Sequence, residues 1–185
     1  RFWFRYWKVE QGFVLKEIVL AIDVMGGDYG PKATVEGVKM ASKIYPNVKF
    51  KLFGDQNISE PELKKSGLIN TEFFHTEESI KSDDEPVTAL RKLKKSSMRL
   101  GINNLSNSES HGFVSAGNTG ALMAISKFVL KTLNGINRPA IAGLMPTMKG
   151  QTVILDLGAN VDCSNDNLVQ FALMGDIFSQ AVLGI

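Results

Sequence analysis

The sequence predicts an α/β fold: a doubly wound, mostly parallel sheet with one antiparallel hairpin strand. Three observations predict it. First, one local pattern occurs three times: an apolar run, a glycine-containing loop, then a helical periodicity. Second, residues 18–24 form a nearly unbroken apolar run, as expected of a strand covered on both faces. Third, two apolar runs flank a short connection, Pro146-Thr147-Met148-Lys149-Gly150, which reads as a hairpin within the otherwise parallel sheet.

In chain order, residues 1–15 differ from the rest of the chain. They mix aromatic residues with Arg and Lys, hold both tryptophans, and lack a starting methionine. They read as a non-core extension, either a foreign leader or translation from upstream of the true start. A membrane-surface segment is the competing reading. The domain itself is expected over residues 16–185. Its first strand ends in Met25-Gly26-Gly27-Asp28, and Pro31 suits the start of a helix whose apolar face is Val35, Val38, Met40, Ala41 and Ile44. Residues 48–53 read as a second strand. Ser59-Glu60-Pro61-Glu62 starts a short helix ending at Gly67, residues 70–75 form a third strand, and residues 76–84 form a polar surface loop. A long helix is expected from Asp84-Glu85-Pro86 to about Asn103, with Arg91 and Lys95 one turn apart on a basic face. The central unit runs from Phe113-Val114 through Ser115-Ala116-Gly117-Asn118-Thr119-Gly120 into a helix burying Ala121, Leu122, Ile125, Phe128 and Val129. The third loop spans residues 156–163. Ser164 is placed to cap a last helix that buries Leu168, Phe171, Ala172, Gly175 and Phe178.

Composition excludes several classes. One cysteine, Cys163, cannot form an internal disulfide framework and fits a reducing compartment. No apolar run approaches the roughly 20 residues that span a bilayer, and no secretory signal pattern is present, so a cytoplasmic location is expected. A net charge of +2 points to no particular partner, and no nucleic-acid-binding pattern stands out. No Gly-x-x-x-x-Gly-Lys-Ser/Thr sequence occurs, which disfavours a nucleoside triphosphatase or kinase, and no Gly-x-Gly-x-x-Gly follows a strand.

Glycine loops between strand and helix aim backbone N–H groups at an anion. In doubly wound sheets ligands collect beyond the carboxyl ends of the strands, so the three loops are expected to share one crevice. Ser115, Asn118 and Thr119 add candidate side-chain donors, and Asn118 or Thr119 can instead cap the helix. Asp23, Asp28 and Asp162 stand between two roles, orienting donors or forming caps and loops. Cys163 lies near a helix start, but neither His75 nor His111 is near it in sequence. It is read as structural rather than as a nucleophile.

Taken together, Asp23-Val24-Met25-Gly26-Gly27-Asp28 with Pro31, Asp84-Glu85-Pro86, Ser96-Ser97-Met98, Ser115-Ala116-Gly117-Asn118-Thr119-Gly120-Ala121, Arg138-Pro139-Ala140-Ile141 and Asp156-Leu157-Gly158-Ala159-Asn160-Val161-Asp162-Cys163 resemble the bacterial acyl-acyl-carrier-protein:phosphate acyltransferase family, over about residues 16–185. The resemblance implies an isocitrate/isopropylmalate dehydrogenase-like fold, truncated here to its N-terminal portion. It implies transfer of a long-chain acyl group from acyl carrier protein to inorganic phosphate, without a metal or cofactor. The acyl phosphate product then feeds a membrane glycerol-3-phosphate acyltransferase. A cytosolic homodimer that associates peripherally with the inner membrane is the form implied.

The resemblance, joined to the chemistry of the residues, suggests catalytic roles for Asn118, Thr119 and Asn160. Substrate contacts are suggested for Gly26, Gly27, Asp28, Arg91, Lys94, Ser96, Ser97, Ser115, Gly117, Gly120, Gly158 and Asp162. Asn160 or the Gly158-Ala159 backbone is the candidate oxyanion donor. Arg91, Lys94 and Lys95 meet either the acidic carrier protein or phosphate. Substituting Asn118 and Thr119 is expected to weaken phosphate use with little loss of fold. Four departures from the family pattern stand out: the N-terminal extension, Leu93 and Lys95 in the basic helix, Ser164-Asn165 where Lys-Pro is expected, and a much shorter chain. Two other classes stay open, a fragment that binds phosphate or carrier protein without turnover and a nicotinamide-dependent dehydrogenase sharing the fold.

Overall fold

The computed structural model describes residues 17–158, 160 and 162–184. The expected extension at residues 1–15, and Ala159 and Val161 of the third loop, lie outside the described residues. The chain divides into two compact units, one within Val14–Leu130 and one within Lys131–Ile185.

The first unit is built on a four-stranded parallel sheet of order β3-β2-β1-β4, formed by β1 (Ile18–Asp23), β2 (Val48–Gly54), β3 (Thr71–His75) and β4 (Gly112–Val114). Helices α1 (Gly30–Ile44) and α2 (Gln56–Ser66) connect β1 to β2 and β2 to β3. Helices α3 (Pro86–Lys92) and α4 (Ser97–Ser106) then carry the chain back past β1 to β4. The direction of winding therefore reverses between β1 and β4, which is where open α/β sheets collect ligands. Helix α5 (Thr119–Leu130) follows β4.

Two apolar clusters hold this unit. Ile22, Val24, Phe50 and Leu52 of the β1 and β2 segments pack with Val35 and Val38 of α1. Ile80, Ala89, Met98, Ile102, Ala121 and Ile125 join the 76–85 loop to α3, α4 and α5. Full burial of side chains such as Leu52 or Ile125 contributes about 1.5–3 kcal/mol each. The loop expected to lie wholly on the surface thus places Ile80 in the core, where an isolated apolar residue serves as an anchor.

Several expectations are corrected. The long helix from residue 84 to 103 is two helices. The connector 93–96 is held out of helical geometry by the 76–78 segment: Lys95 N–H donates to Glu78 Oε2 at 3.0 Å, and Thr76 Oγ1 donates to the Lys95 carbonyl at 2.6 Å. Ser96 then caps α4, its hydroxyl accepting from Arg99 N–H at 3.3 Å. Serine favours a cap over a helix interior because its hydroxyl competes for nearby backbone groups. Arg91 and Lys95 are therefore not neighbours on one helix. Helix α2 starts a turn earlier than expected, at Gln56, because Asp55 caps it, and Gly67 ends it in the left-handed region. On α1 the buried residues are Val35 and Val38, while Met40 and Ile44 face solvent. Phe128 of α5 is half exposed, with the Arg99 guanidinium 5.2 Å from its ring centre.

In the second unit, β5 (Ala142–Thr147) and β6 (Gly150–Leu155) form the expected hairpin, followed by α6 (Asn165–Phe178) and a short π-helical segment, Ser179–Leu183. The hairpin is a sheet of its own, not an antiparallel strand within the parallel sheet. Its two-residue turn lets the strands satisfy each other, and Pro146 removes one donor from β5. Ser164 caps α6 in a reciprocal capping box with Asn167. Phe171 is buried as expected, whereas Leu168 and Ala172 are exposed.

Candidate functional site

The loops after β1 and β4 meet backbone to backbone at the reversal point. Gly26 is buried, and a Cβ added there would lie 2.8 Å from Gly117 N, 2.8 Å from Asp23 Oδ2 and 2.9 Å from Ser115 Oγ. Only glycine permits this approach. Gly27 follows at φ +88°, turning the chain towards α1.

Asp23 is the hub of this contact. It ends β1 and is buried, and both its oxygens are engaged. Oδ1 accepts from Ser97 Oγ at 2.6 Å and from Met25 N–H at 3.2 Å. Oδ2 accepts from Ser115 Oγ at 2.7 Å, and Ser115 Oγ in turn accepts from Gly117 N–H at 3.0 Å. One carboxylate thus fastens the first loop, the second loop and the entry to α4. From sequence alone Asp23 stands between two roles. The one available signal is a charged residue ending an apolar strand.

Asn118 caps α5: its Oδ1 accepts from Ala121 N–H at 2.9 Å. Its Nδ2 faces the carbonyls of Lys81, Ser82 and Asp84 at 3.3, 3.1 and 2.9 Å, tying the 81–84 loop to the helix start. Gly120 lets Pro86 of α3 close over the same turn, since a Cβ there would meet Pro86 Cγ at 2.7 Å.

The side-chain protons expected to face an anion are accordingly engaged within the fold. Ser97 and Ser115 donate to Asp23, Ser96 donates to the Leu93 carbonyl at 2.9 Å, and Asn118 donates to loop carbonyls. What faces outward is main chain and one hydroxyl. Gly27, Thr119 and Gly120 are exposed, and the N–H groups of Thr119 and Gly120 open a helix, where no intrahelical acceptor exists. The Thr119 and Asp28 side chains have no hydrogen-bond partner among the described residues. Arg91 and Lys94 are exposed, at the end of α3 and in the connector.

The third loop belongs to the second unit. Asp156 leaves β6 at φ +64°, and Gly158 follows at φ +85°. Asn160 Nδ2 donates to Asp156 Oδ1 at 2.9 Å and to the Pro139 carbonyl at 3.1 Å, so both amide protons have acceptors. Arg138 Nη1 donates to the Asp162 carbonyl at 3.0 Å. Cys163 Sγ sits 3.7 Å from Asp156 Oδ2. Burial, then the Asp156 carboxylate, pushes its thiol above the ordinary range. That suits a structural thiol, because the nucleophile is the thiolate. Among the described residues no group of three or more His, Cys, Asp or Glu is placed to hold a metal ion, and no helix is long and apolar enough to cross a membrane.

The family described as "Fatty acid synthesis protein" matches residues 18–185. The phosphate acyltransferase of Paramagnetospirillum magneticum is 51% identical over 170 residues, 91% of this chain and 48% of that protein. Those of Magnetococcus marinus and Rhodospirillum rubrum are 51% and 45% identical over 168 and 170 residues. The chain spans about half the length of these curated relatives. On the match across nearly its whole length, the chain belongs to the fatty acid synthesis protein family.

Proposed function

We propose that the protein of which this chain forms part transfers a long-chain acyl group from acyl carrier protein to inorganic phosphate. The observation that carries the reading is the meeting of two glycine loops at the sheet's reversal point, in a chain whose relatives are named phosphate acyltransferases. In this reading the fold is dehydrogenase-like.

The chemistry needs little from side chains. A phosphate oxygen attacks the thioester carbonyl, a tetrahedral oxyanion forms, the C–S bond breaks, and the carrier's thiol leaves with acyl phosphate as the other product. Phosphate is already a nucleophile, so the site's main task is to hold and aim it. The N–H groups of Gly27, Thr119 and Gly120 and the Thr119 hydroxyl contact phosphate. Gly26, Gly117 and Asp23 fix their positions, with Ser96, Ser97 and Ser115 behind them. Asp28, Arg91 and Lys94 form the charged rim. Asn118 acts by holding the 81–84 loop and the start of α5. Gly158, Asn160 and Asp162 form a loop of their own whose backbone Asn160 shapes and which is the candidate oxyanion donor, and aimed N–H donors of that kind are worth about 3–4 kcal/mol. The leaving thiol has an ordinary pKa of about 8.5, so no strong general acid is required. The whole enzyme works as a cytoplasmic homodimer that touches the inner membrane and hands acyl phosphate to a membrane glycerol-3-phosphate acyltransferase.

A second reading is favoured by the match to only about half of each relative: this chain alone binds phosphate or carrier protein without turnover. Incubation with acyl-acyl carrier protein and phosphate, with acyl phosphate trapped as a hydroxamate, tests both. An in-frame extended chain is run alongside. Product from both supports acyl transfer by these loops, and product from the longer chain alone supports the second reading for this one. Absence of product from both folded proteins refutes the acyltransferase reading.

A further inference from the structure

Register places Asp23, Phe53 and Phe74 abreast on β1, β2 and β3. Asp23 fastens the glycine loops at one end of this row. At the other end, between β3 and the later turns of α4, lies an open cavity of about 330 Å³ that shares no residue with the candidate site. Its floor is apolar: the Phe53 and Phe74 rings stack at 4.8 Å with 12° between their planes, and Leu100 lines the cavity with them. Its wall is polar. Asn103 Oδ1 accepts from Arg99 Nε at 3.3 Å, and the Asn103 amide N–H groups have no acceptor among the described residues. Asn107 Nδ2 donates to Glu109 Oε1 at 3.3 Å, and Asn107 Oδ1 has no donor among them. A guanidinium only donates and a carboxylate only accepts, so both amide orientations are fixed. A free donor and a free acceptor therefore stand one helical turn apart. Asn104 of the same wall is buried, with Nδ2 bonded to Glu109 and Oδ1 lacking any donor among the described residues, a state native folds rarely leave unanswered. His75 Nδ1 accepts from Gln56 N–H at 3.1 Å, so in the neutral ring Nε2 carries the proton.

We propose that this cavity binds a flat aromatic heterocycle bearing an amine beside a ring-nitrogen acceptor, the chemistry of an aminopurine base carried by a nucleoside. The inference goes beyond the acyltransferase reading and does not depend on it. The volume lies near the lower end for small-ligand pockets, which suits one fused ring system and not a folded partner. An apolar floor with a few convergent polar groups is the usual make-up of such a site. A carboxamide meets an aminopurine edge by accepting from its amine and donating to its ring nitrogen. Here Asn107 supplies the acceptor and Asn103 the donor. The same wall tells against an alkyl chain, which would strip water from these amides and return no hydrogen bonds. It tells against a bare anion as well: Glu109 stands at the rim, and Lys51 is already paired with it at 3.5 Å.

The test titrates adenosine into the unmodified chain and follows backbone amide NMR shifts. Saturable binding is expected with a Kd of about 1 mM or tighter, and with shifts centred on residues 74–75 and 100–109. Purine riboside, which lacks the amine, is expected to bind at least about threefold more weakly, and ribose alone not to bind. Asn103→Leu/Asn107→Leu is expected to weaken adenosine about tenfold, with Lys64→Ala on α2 changing it by less than about twofold. Circular dichroism confirms folding. If the double variant does not fold, Asn107→Ala at its exposed position takes its place, with an expected loss of about threefold. Lack of saturation by about 10 mM overturns the proposal. Unchanged affinity in the asparagine variants, an equal loss in Lys64→Ala, or equal affinity for purine riboside does so too. Shifts centred on Gly27, Thr119 and Gly120 would move the ligand to the glycine loops and overturn it. Tighter binding of decanoate than of adenosine at the same groove also overturns it and favours an alkyl chain.

Discussion

Replacing Gly26 with alanine tests the central geometric claim. The new Cβ would stand 2.8 Å from both Gly117 N and Asp23 Oδ2 and 2.9 Å from Ser115 Oγ, where ordinary contact begins at 3.4 Å. Each neighbour must therefore retreat by about 0.5–0.6 Å. None can do so alone, because Gly117 is backbone and both Asp23 and Ser115 are held by hydrogen bonds. Overpacking of this kind costs about 1–3 kcal/mol. For a domain of this size, that lowers the melting temperature by roughly 3–6 °C per kcal/mol. The fitting control is Gly37→Ala, inside α1, where an added Cβ meets nothing within 4 Å. There the substitution is expected to stabilise by about 0.5–1 kcal/mol, because alanine loses less backbone freedom in a helix. Thermal and urea unfolding of the two variants, followed by circular dichroism, gives the comparison. A Gly26→Ala chain within about 0.5 kcal/mol of the unmodified protein would show that the loops do not pack this closely, and the proposed phosphate cradle would fall with them.

Removing the hub should be as informative. Asp23→Ala leaves two hydroxyls without their acceptor and is expected to cost about 3–5 kcal/mol, read by urea unfolding, with Asp23→Asn milder because it keeps one acceptor oxygen. Asn118→Ala and Thr119→Ala, expected from sequence to act alike, should separate. The first removes a helix cap and three carbonyl contacts and should lower stability by about 1–3 kcal/mol, while the second should leave stability within about 0.5 kcal/mol and weaken stabilisation by added phosphate. Cys163 should alkylate slowly near neutral pH, its rate rising only above the pH range of an ordinary thiol. Asp156→Asn should shift that rise to lower pH, since it removes a charge that disfavours the thiolate, and iodoacetamide kinetics across pH would show it.

The strands and their loops were legible because each apolar run is short and bounded by glycine or a polar turn. Pro31, Ser164 and the Asp84-Glu85-Pro86 start acted as local signals, and the structure uses them locally. The break between α3 and α4 was hidden because Glu78 and Thr76, which enforce it, lie 17 and 19 residues away from Lys95. The separate hairpin sheet was hidden for a related reason: sequence shows that two strands pair, but not which sheet they join. At the candidate site the residue types were legible and their orientation was not. Ser97, Ser115 and Asn118 are hydrogen-bond donors in any reading of the sequence, and only the fold reveals that Asp23 and the 81–84 carbonyls already receive those protons.

That inward orientation has a consequence for how the site can be studied. A binding face made of peptide N–H groups is nearly silent to side-chain replacement: alanine at Ser97, Ser115 or Asn118 perturbs the frame and never touches the contacts themselves. Sequence drift at outward positions would leave such a face intact provided the glycines and the hub persist. Replacing the amide at Thr119 or Gly120 by an ester deletes a single donor while leaving every side chain in place. Chemical synthesis or semisynthesis, more than mutagenesis, is therefore the way to assign this face atom by atom.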